Sequence, residues 1–166
     1  MTDFIVVDSQ RCIGCRTCEV ACALAHSPPA PLVAAHFHPR LNVNKLNSVS
    51  APVMCHQCEN APCAAACPTA ALTVGEQRIE SDDSRCIGCA SCVVACPFGC
   101  ISIAGQDASG AMTIVKCDLC ASRESGPACV DVCPTSALKK QSAGELVRLG
   151  QLRRTASAFV AGMVWG

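Results

Sequence analysis

The chain has 166 residues, of which 51% are apolar but only 3% aromatic and 16% charged, and its formal charge is zero. That apolar, weakly charged composition excludes a disordered chain, and the balanced charge gives no footing for nucleic-acid binding. The 17 cysteines are odd in number and lie a few residues apart behind an N-terminus without a basic or long apolar segment, which argues against a secreted disulfide scaffold; with so few large side chains, the interior must be filled by something the cysteines hold.

In chain order, the β-branched run Phe4-Ile5-Val6-Val7 predicts a strand. A first cysteine motif follows, Cys12-x2-Cys15-x2-Cys18-x3-Cys22. Residues 23–54 form the longest linker, Pro-rich at Pro28, Pro29 and Pro31 and then alternating through Leu41-Asn42-Val43-Asn44, which predicts a strand lying over the repeats. The second motif is Cys55-x2-Cys58-x4-Cys63-x3-Cys67-Pro68. Leu72-Thr73-Val74 and Arg78-Ile79-Glu80 flank Gly75-Glu76-Gln77 and predict a hairpin. The third motif is Cys86-x2-Cys89-x2-Cys92-x3-Cys96-Pro97, and the fourth is Cys117-x2-Cys120-x8-Cys129-x3-Cys133-Pro134. Ala137 to Lys139 predicts a closing strand. From Ala143 to Val164 the apolar Leu149, Leu152, Ala156, Phe159, Val160 and Met163 recur at helical spacing, predicting a C-terminal helix.

Sixteen cysteines thus fall into four groups of four, with Cys100 left over. The surroundings repeat as well: Arg11-Cys12-Ile13-Gly14-Cys15 recurs as Arg85-Cys86-Ile87-Gly88-Cys89, and Cys67-Pro68-Thr69-Ala70-Ala71-Leu72 as Cys133-Pro134-Thr135-Ser136-Ala137-Leu138. One small unit has been duplicated, each copy a cysteine loop, a short helix carrying the last cysteine, and a brief strand.

Three closely spaced cysteines wrap three corners of one iron–sulfur cubane, and the fourth, on a segment leading away, reaches a neighbouring cluster. Small residues such as Gly14 and Gly88 let backbone N–H groups approach the sulfides. All-cysteine zinc sites use two C-x2-C knuckles across a longer spacer, a pattern that three cysteines in tandem do not fit. The expected cofactors are four 4Fe-4S clusters.

The short hairpin between motifs two and three favours exchange of their fourth ligands. Cluster A then uses Cys55, Cys58, Cys63 and Cys96, and cluster B uses Cys86, Cys89, Cys92 and Cys67. Motifs one and four form a second unit closed by Phe4–Val7 and Ala137–Lys139. In it, cluster C uses Cys12, Cys15, Cys18 and Cys133, and cluster D uses Cys117, Cys120, Cys129 and Cys22. A sequential pairing of motif one with two and three with four stays open on the intervals alone. The fold class expected is α+β: two pseudo-symmetric bacterial-ferredoxin-like units, one nested within the other, plus a C-terminal helix. The divisions are residues 1–22 and 112–140 for the outer unit, 23–54 for a linker with strands, 55–111 for the inner unit and 141–166 for the helical tail. Each oxidised cluster with four thiolates carries about −2, so Lys116, Arg11 and Arg85, each beside a first ligand, are candidate counter-charges and otherwise ordinary exposed side chains.

The stretches Cys12-Ile13-Gly14-Cys15-Arg16-Thr17-Cys18-Glu19, Cys55-His56-Gln57-Cys58-Glu59-Asn60-Ala61-Pro62-Cys63, Lys116-Cys117-Asp118-Leu119-Cys120 and Gly126-Pro127-Ala128-Cys129 resemble the four-cluster ferredoxin-type electron-transfer subunits of molybdenum and tungsten enzymes. That family includes the iron–sulfur subunits of formate dehydrogenase, formate hydrogenlyase and dimethyl sulfoxide reductase, and the small subunit of tungsten aldehyde oxidoreductases is similar. The resemblance spans about residues 4–140. It implies the nested pairing, a near-linear order C–D–A–B, a tungsten- or molybdenum-pterin partner that oxidises aldehyde or formate, and an acceptor that is a flavin/NAD subunit, a hydrogenase or a ferredoxin. Long insertions, a membrane helix and an export signal found in larger members are missing, and no stretch has the roughly 20 apolar residues of a spanning helix, so a soluble cytoplasmic complex is expected.

Cys100 reads as core packing. His26, His36, His38 and His56 lack metal spacing and read as exposed or linker residues, with His56 placed to tune cluster A. Ala64-Ala65-Ala66 reads as backbone packed against a cluster. The tail helix is either packed on its own domain or a docking arm for a partner subunit or a second copy, in which case successive chains extend the wire. No nucleotide fingerprint, nucleophile–base pair or open metal position occurs, and no motif has the C-x3-C-x2-C form of a radical S-adenosylmethionine enzyme. The expected role is a non-catalytic electron carrier; the alternative is a maturation or assembly factor for such an enzyme.

Overall fold

The computed structural model describes residues 3–27, 34, 37–106 and 112–164. Along the chain run β1 (Phe4–Val7), α1 (Thr17–His26), β2 (Leu41–Leu46), β3 (Val49–Met54), α2 (Pro62–Ala65), β4 (Leu72–Val74), β5 (Ile79–Ser81), a 3-10 turn (Asp83–Arg85), α3 (Ser91–Ala95), β6 (Ser102–Gln106), β7 (Met112–Val115), α4 (Ala128–Asp131), β8 (Leu138–Gln141) and α5 (Ala143–Val164). The strands make four two-stranded antiparallel sheets among the described residues: β1 with β8, β2 with β3, β4 with β5, and β6 with β7. The first brings the two ends of the cysteine region together, Phe4 opposite Gln141 and Val7 opposite Leu138.

The expected strands form, with β5 and β8 each starting one residue later than the composition suggested. Strand β3 lies in the linker, where strands were expected, and β6 follows the third motif as the repeated unit requires; β7 and its pairing with β6 were not anticipated. That hairpin joins residues on either side of position 111, where the division between inner and outer unit was expected. In β2, Leu41 and Val43 point inward while Asn42 and Asn44 face solvent, the period of a half-buried strand.

The expectation that a short helix carries the last cysteine of each motif needs correction. Cys18, Cys63, Cys92 and Cys129, the third cysteines, lie in α1, α2, α3 and α4, whereas Cys67, Cys96 and Cys133 follow the helix end. Proline is the cause: it disfavours α geometry in the residue before it, and Pro68, Pro97 and Pro134 follow those three cysteines directly. Cys22 has no such proline, so α1 continues to His26.

Nine of the buried residues are cysteines. One core cluster gathers Ile5, Leu41, Val43, Met54, Leu119 and Leu138 with Cys18, Cys22, Cys55, Cys100, Cys117 and Cys129. Another gathers Leu72, Ile79, Ile101 and Ile114 with Cys63 and Cys92, and Cys96 packs against both. Cys100 is buried in the first, as core packing requires.

Helix α5 begins with a capping box, Glu145 N–H donating to Ser142 Oγ (3.4 Å) and Ser142 N–H to Glu145 Oε2 (2.7 Å). Its Leu146, Leu149 and Arg153 border a cleft formed with β1 and the end of β3, while Val147, Leu152 and Phe159 are exposed. No helix among the described residues is long and apolar enough to cross a membrane.

Candidate metal centres

The duplication is written into the backbone. In all four motifs the residue before the second cysteine has positive φ: Gly14 (69°), Gln57 (49°), Gly88 (70°) and Leu119 (59°). A left-handed residue inside such a loop turns successive amide N–H groups toward one point, a concavity suited to an anionic group. At Gly14 and Gly88 a side chain would also collide, since a Cβ would lie 2.7 Å from Ser50 Oγ and from Met112 Cε respectively. Gln57 and Leu119 accept the conformation because their side chains are buried and held. A second left-handed position recurs three residues after the last cysteine, at Ala70, Gly99 and Ser136. It returns the chain so that Cys100 N–H donates to Cys96 Sγ (3.4 Å) and Ala137 N–H to Cys133 Sγ (3.3 Å).

The thiols come together in four sets. Cys12, Cys15, Cys18 and Cys133 line one cavity with Val43, Pro52 and Leu138. Cys67, Cys86, Cys89 and Cys92 line another with Leu72, Ile103 and Ile114. Cys55 lies within electrostatic reach of Cys58 and Cys96, and Cys63 of Cys55 and Cys96. Cys129 is likewise coupled to Cys117, Cys22 and Cys120. Charge is felt between neighbouring sets as well, Cys129 sensing Cys18 and Cys117 sensing Cys55 within one core cluster.

Exposure divides the sets. Cys15 and Cys89 are exposed, each beside an isoleucine (Ile13, Ile87) that is itself about two-thirds exposed at 66% and 65%. Cys22, Cys117, Cys120 and Cys129 are all buried, as are Cys55 and Cys63. Burial pushes the Cys117 thiol up to about 12 and Cys18 to about 11, and raises Cys55, Cys63, Cys92 and Cys129. The exposed thiols move the other way: the Thr17 hydroxyl lowers Cys15 and that of Ser91 lowers Cys89. At Cys133 burial is outweighed by the Ala137 amide and the Thr135 hydroxyl.

Several supporting residues were invisible in the sequence. Buried Gln57 donates from Nε2 to the Cys117 carbonyl (2.8 Å) and accepts at Oε1 from Ile79 N–H (2.9 Å), stitching motif two to motif four. Glu19, expected only as part of a motif, is buried and accepts from Val43 N–H (2.5 Å), anchoring β2 on α1. Asp118 accepts from His26 Nε2 (3.0 Å), Arg40 (2.8 Å) and Cys120 N–H (3.0 Å). Burial opposes its carboxylate, yet His26 and Arg40 hold its pKa well below the usual range. Burial also opposes the His26 cation, but Asp118, Cys120 and Cys22 together raise it to about 12. The one signal for these contacts was position: Gln57 occupies the slot of Gly14, where only a specific need excuses a non-glycine residue.

Other expectations are met in part. His26 is not an exposed linker residue, because α1 runs on and turns it onto Asp118. His38 is exposed; His56 is exposed and stacked on Phe98 with ring centroids 3.9 Å apart; His36 lies outside the described residues. Arg11 and Arg85 are exposed, whereas Lys116 is completely buried. Of the alanine run, Ala64 packs against the core but Ala65 is exposed.

Sixteen soft sulfur donors, with backbone amides donating to Cys22, Cys55, Cys96 and Cys133 among them, suit iron–sulfur cubanes. His26, Asp118 and Cys120 also lie within 4.8 Å of one another, but both His26 ring nitrogens are engaged, Nδ1 by the Cys22 carbonyl (2.7 Å) and Nε2 by Asp118. They buttress the Cys120 set and do not form a separate site.

Known proteins point the same way. The 4Fe-4S dicluster domain family matches residues 46–143, and the 4Fe-4S binding domain family matches residues 4–26. Electron transport protein HydN of Escherichia coli is 42% identical, over 96% of this chain and 100% of HydN. Formate hydrogenlyase subunit 2 of Escherichia coli is 35% identical, over 93% of this chain and 89% of that subunit. AegA of Escherichia coli is 43% identical over 99% of this chain, which spans only 26% of AegA's length. With its cysteine sets, its repeated left-handed loops and these matches in agreement, the chain belongs to the 4Fe-4S dicluster family of iron–sulfur electron-transport proteins.

Proposed function

We propose that the chain is a non-catalytic electron relay holding four 4Fe-4S clusters. The ligand sets are Cys12, Cys15, Cys18 and Cys133 (C); Cys22, Cys117, Cys120 and Cys129 (D); Cys55, Cys58, Cys63 and Cys96 (A); and Cys67, Cys86, Cys89 and Cys92 (B). The observation that carries this reading is the grouping of the thiols: two sets line cavities and each includes an exposed cysteine, one set is wholly buried, and one is half-buried. When bound, the clusters supply one-electron chemistry without bond making. The chain's own part is to seat them, to turn amides and the Thr17, Ser91 and Thr135 hydroxyls toward their thiolates, and to keep water from the inner sets. The shared core cluster of Cys18, Cys129, Cys117 and Cys55, and the charge felt between Cys18 and Cys129 and between Cys117 and Cys55, support the order C–D–A–B. The outer unit is then residues 1–22 and 112–140, and the inner unit residues 55–111.

The partners proposed are a tungsten- or molybdenum-pterin subunit oxidising aldehyde or formate, and an acceptor that is a flavin/NAD subunit, a hydrogenase or a ferredoxin. Kinship with a formate hydrogenlyase subunit supports membership of such a complex. The exposed Val147, Leu152 and Phe159 support a docking role for α5, toward a partner or a second copy. Anoxic purification tests the whole reading. About sixteen irons per chain, bleaching by dithionite, and a stoichiometric catalytic subunit whose substrate reduces the chain are expected. Zinc in place of iron, or absence of the chain from the finished complex as for a maturation factor, overturns it. Ending the chain at Ser142 is expected to weaken assembly on a sizing column; unchanged elution removes the docking role of α5.

A further inference from the structure

Lys116 is the largest completely buried side chain in the protein as described. It stands at the end of β7, and Nζ donates to two neutral acceptors, the Ile79 carbonyl (2.8 Å) and the Cys117 carbonyl (2.7 Å). Among the described residues it has no carboxylate partner. A buried ammonium without a counter-charge costs far more than two neutral acceptors return. Its position joins two sets: the Cys117 carbonyl it holds also accepts from Gln57 (2.8 Å), which lies between Cys55 and Cys58, and its charge is felt by the thiols of Cys55, Cys63 and Cys117. By contrast, Arg11 and Arg85, beside the first cysteines of the two end motifs, are exposed, where water and salt screen them.

We propose that Lys116 is the shared counter-cation of the Cys55 and Cys117 sets, holding these two clusters, one wholly buried and one half-buried, at potentials no lower than those of the exposed end clusters. This rests on the four-cluster reading above. Each one-electron reduction takes a four-thiolate cluster from about −2 to about −3 with no proton taken up and no bond broken. Burial alone makes that added charge costly and would place an uphill step in the middle of the relay. One fixed positive charge between the two inner sets lowers that cost for both, whereas two surface charges would be weakened by solvent.

The test is Lys116→Met, which keeps the unbranched apolar stem and ends one atom short of the ammonium, in the full chain with iron and sulfide counted first. Dithionite titration followed by electron paramagnetic resonance is expected to show two of four centres harder to reduce, by a factor of ten or more in the one-electron equilibrium constant, which is about 59 mV. The other two should stay in place. Four unmoved centres, or four moved equally, overturn the proposal. If the variant fails to load four clusters, the unsubstituted protein decides. Cys15→Ser and Cys89→Ser identify the end centres by the signals they change or remove, and the remaining two must be reduced no later than those. Inner centres that are last to be reduced overturn the proposal. A wild-type chain holding fewer than four clusters refutes the four-cluster reading itself, a result distinguishable by metal analysis alone.

Discussion

Gln57→Leu isolates the contribution of a single buried amide. Leucine nearly matches glutamine in volume, is unbranched at Cβ, and opens no large cavity. What changes is polar: Ile79 N–H loses its acceptor at 2.9 Å in a residue 1% exposed, while the Cys117 carbonyl keeps Lys116 at 2.7 Å. One buried donor is therefore orphaned, at a cost of about 1–3 kcal/mol. For a chain of this size that corresponds to a fall in melting temperature of about 4–8 °C at the middle of the range. The assay is anoxic thermal unfolding of the iron-loaded protein, followed by far-ultraviolet circular dichroism at one scan rate, because cluster loss makes unfolding irreversible. A change under about 1 °C would refute the reasoning, since Ile79 N–H would then have found another partner at no cost.

Gly14→Ala should be worse than Gly88→Ala: both incur left-handed strain of about 1–2 kcal/mol, but Ser50 has its Cβ 3.1 Å from the new methyl and cannot withdraw, while the Met112 tip can. Iron per chain and melting temperature check the order, and equal losses would contradict it. The carboxylate of Glu145 is held below its ordinary value of 4.5 by the Ser142 amide and hydroxyl. Its contribution to the start of α5 is therefore present above that value and is lost as the pH falls through the lower folded pKa. Amide protection in the first turn, taken relative to the intrinsic exchange rate at each pH, should fall on acidification and lose that dependence in Ser142→Ala. Iron removal by an anoxic chelator should collapse amide protection across both cores, because nine of the buried residues are cysteines and metal-site energy is folding energy in such proteins. Persistent protection in an iron-free chain would refute that dependence.

Local signals are legible in the sequence wherever the constraint is local. Cysteine spacing marks the donors, the period of Leu41–Asn44 marks β2, the run Phe4–Val7 marks β1, and the pattern after Ala143 marks α5, because each depends on neighbours within a few residues. Helix ends before Cys67, Cys96 and Cys133 were equally open to reading, since each cysteine precedes a proline. Only the tertiary structure decided that Lys116 is buried while Arg11 and Arg85 are not, that Gln57 spans from motif two to β5 and motif four, and that His26 meets Asp118 across 92 positions. These depend on which distant backbone groups arrive at one place, and a buried charge or amide has the same letter as an exposed one. The cysteine pattern determined the chemistry; packing decided which side chains would set its electrostatics, because desolvation and long-range contact exist only once the chain has closed on itself.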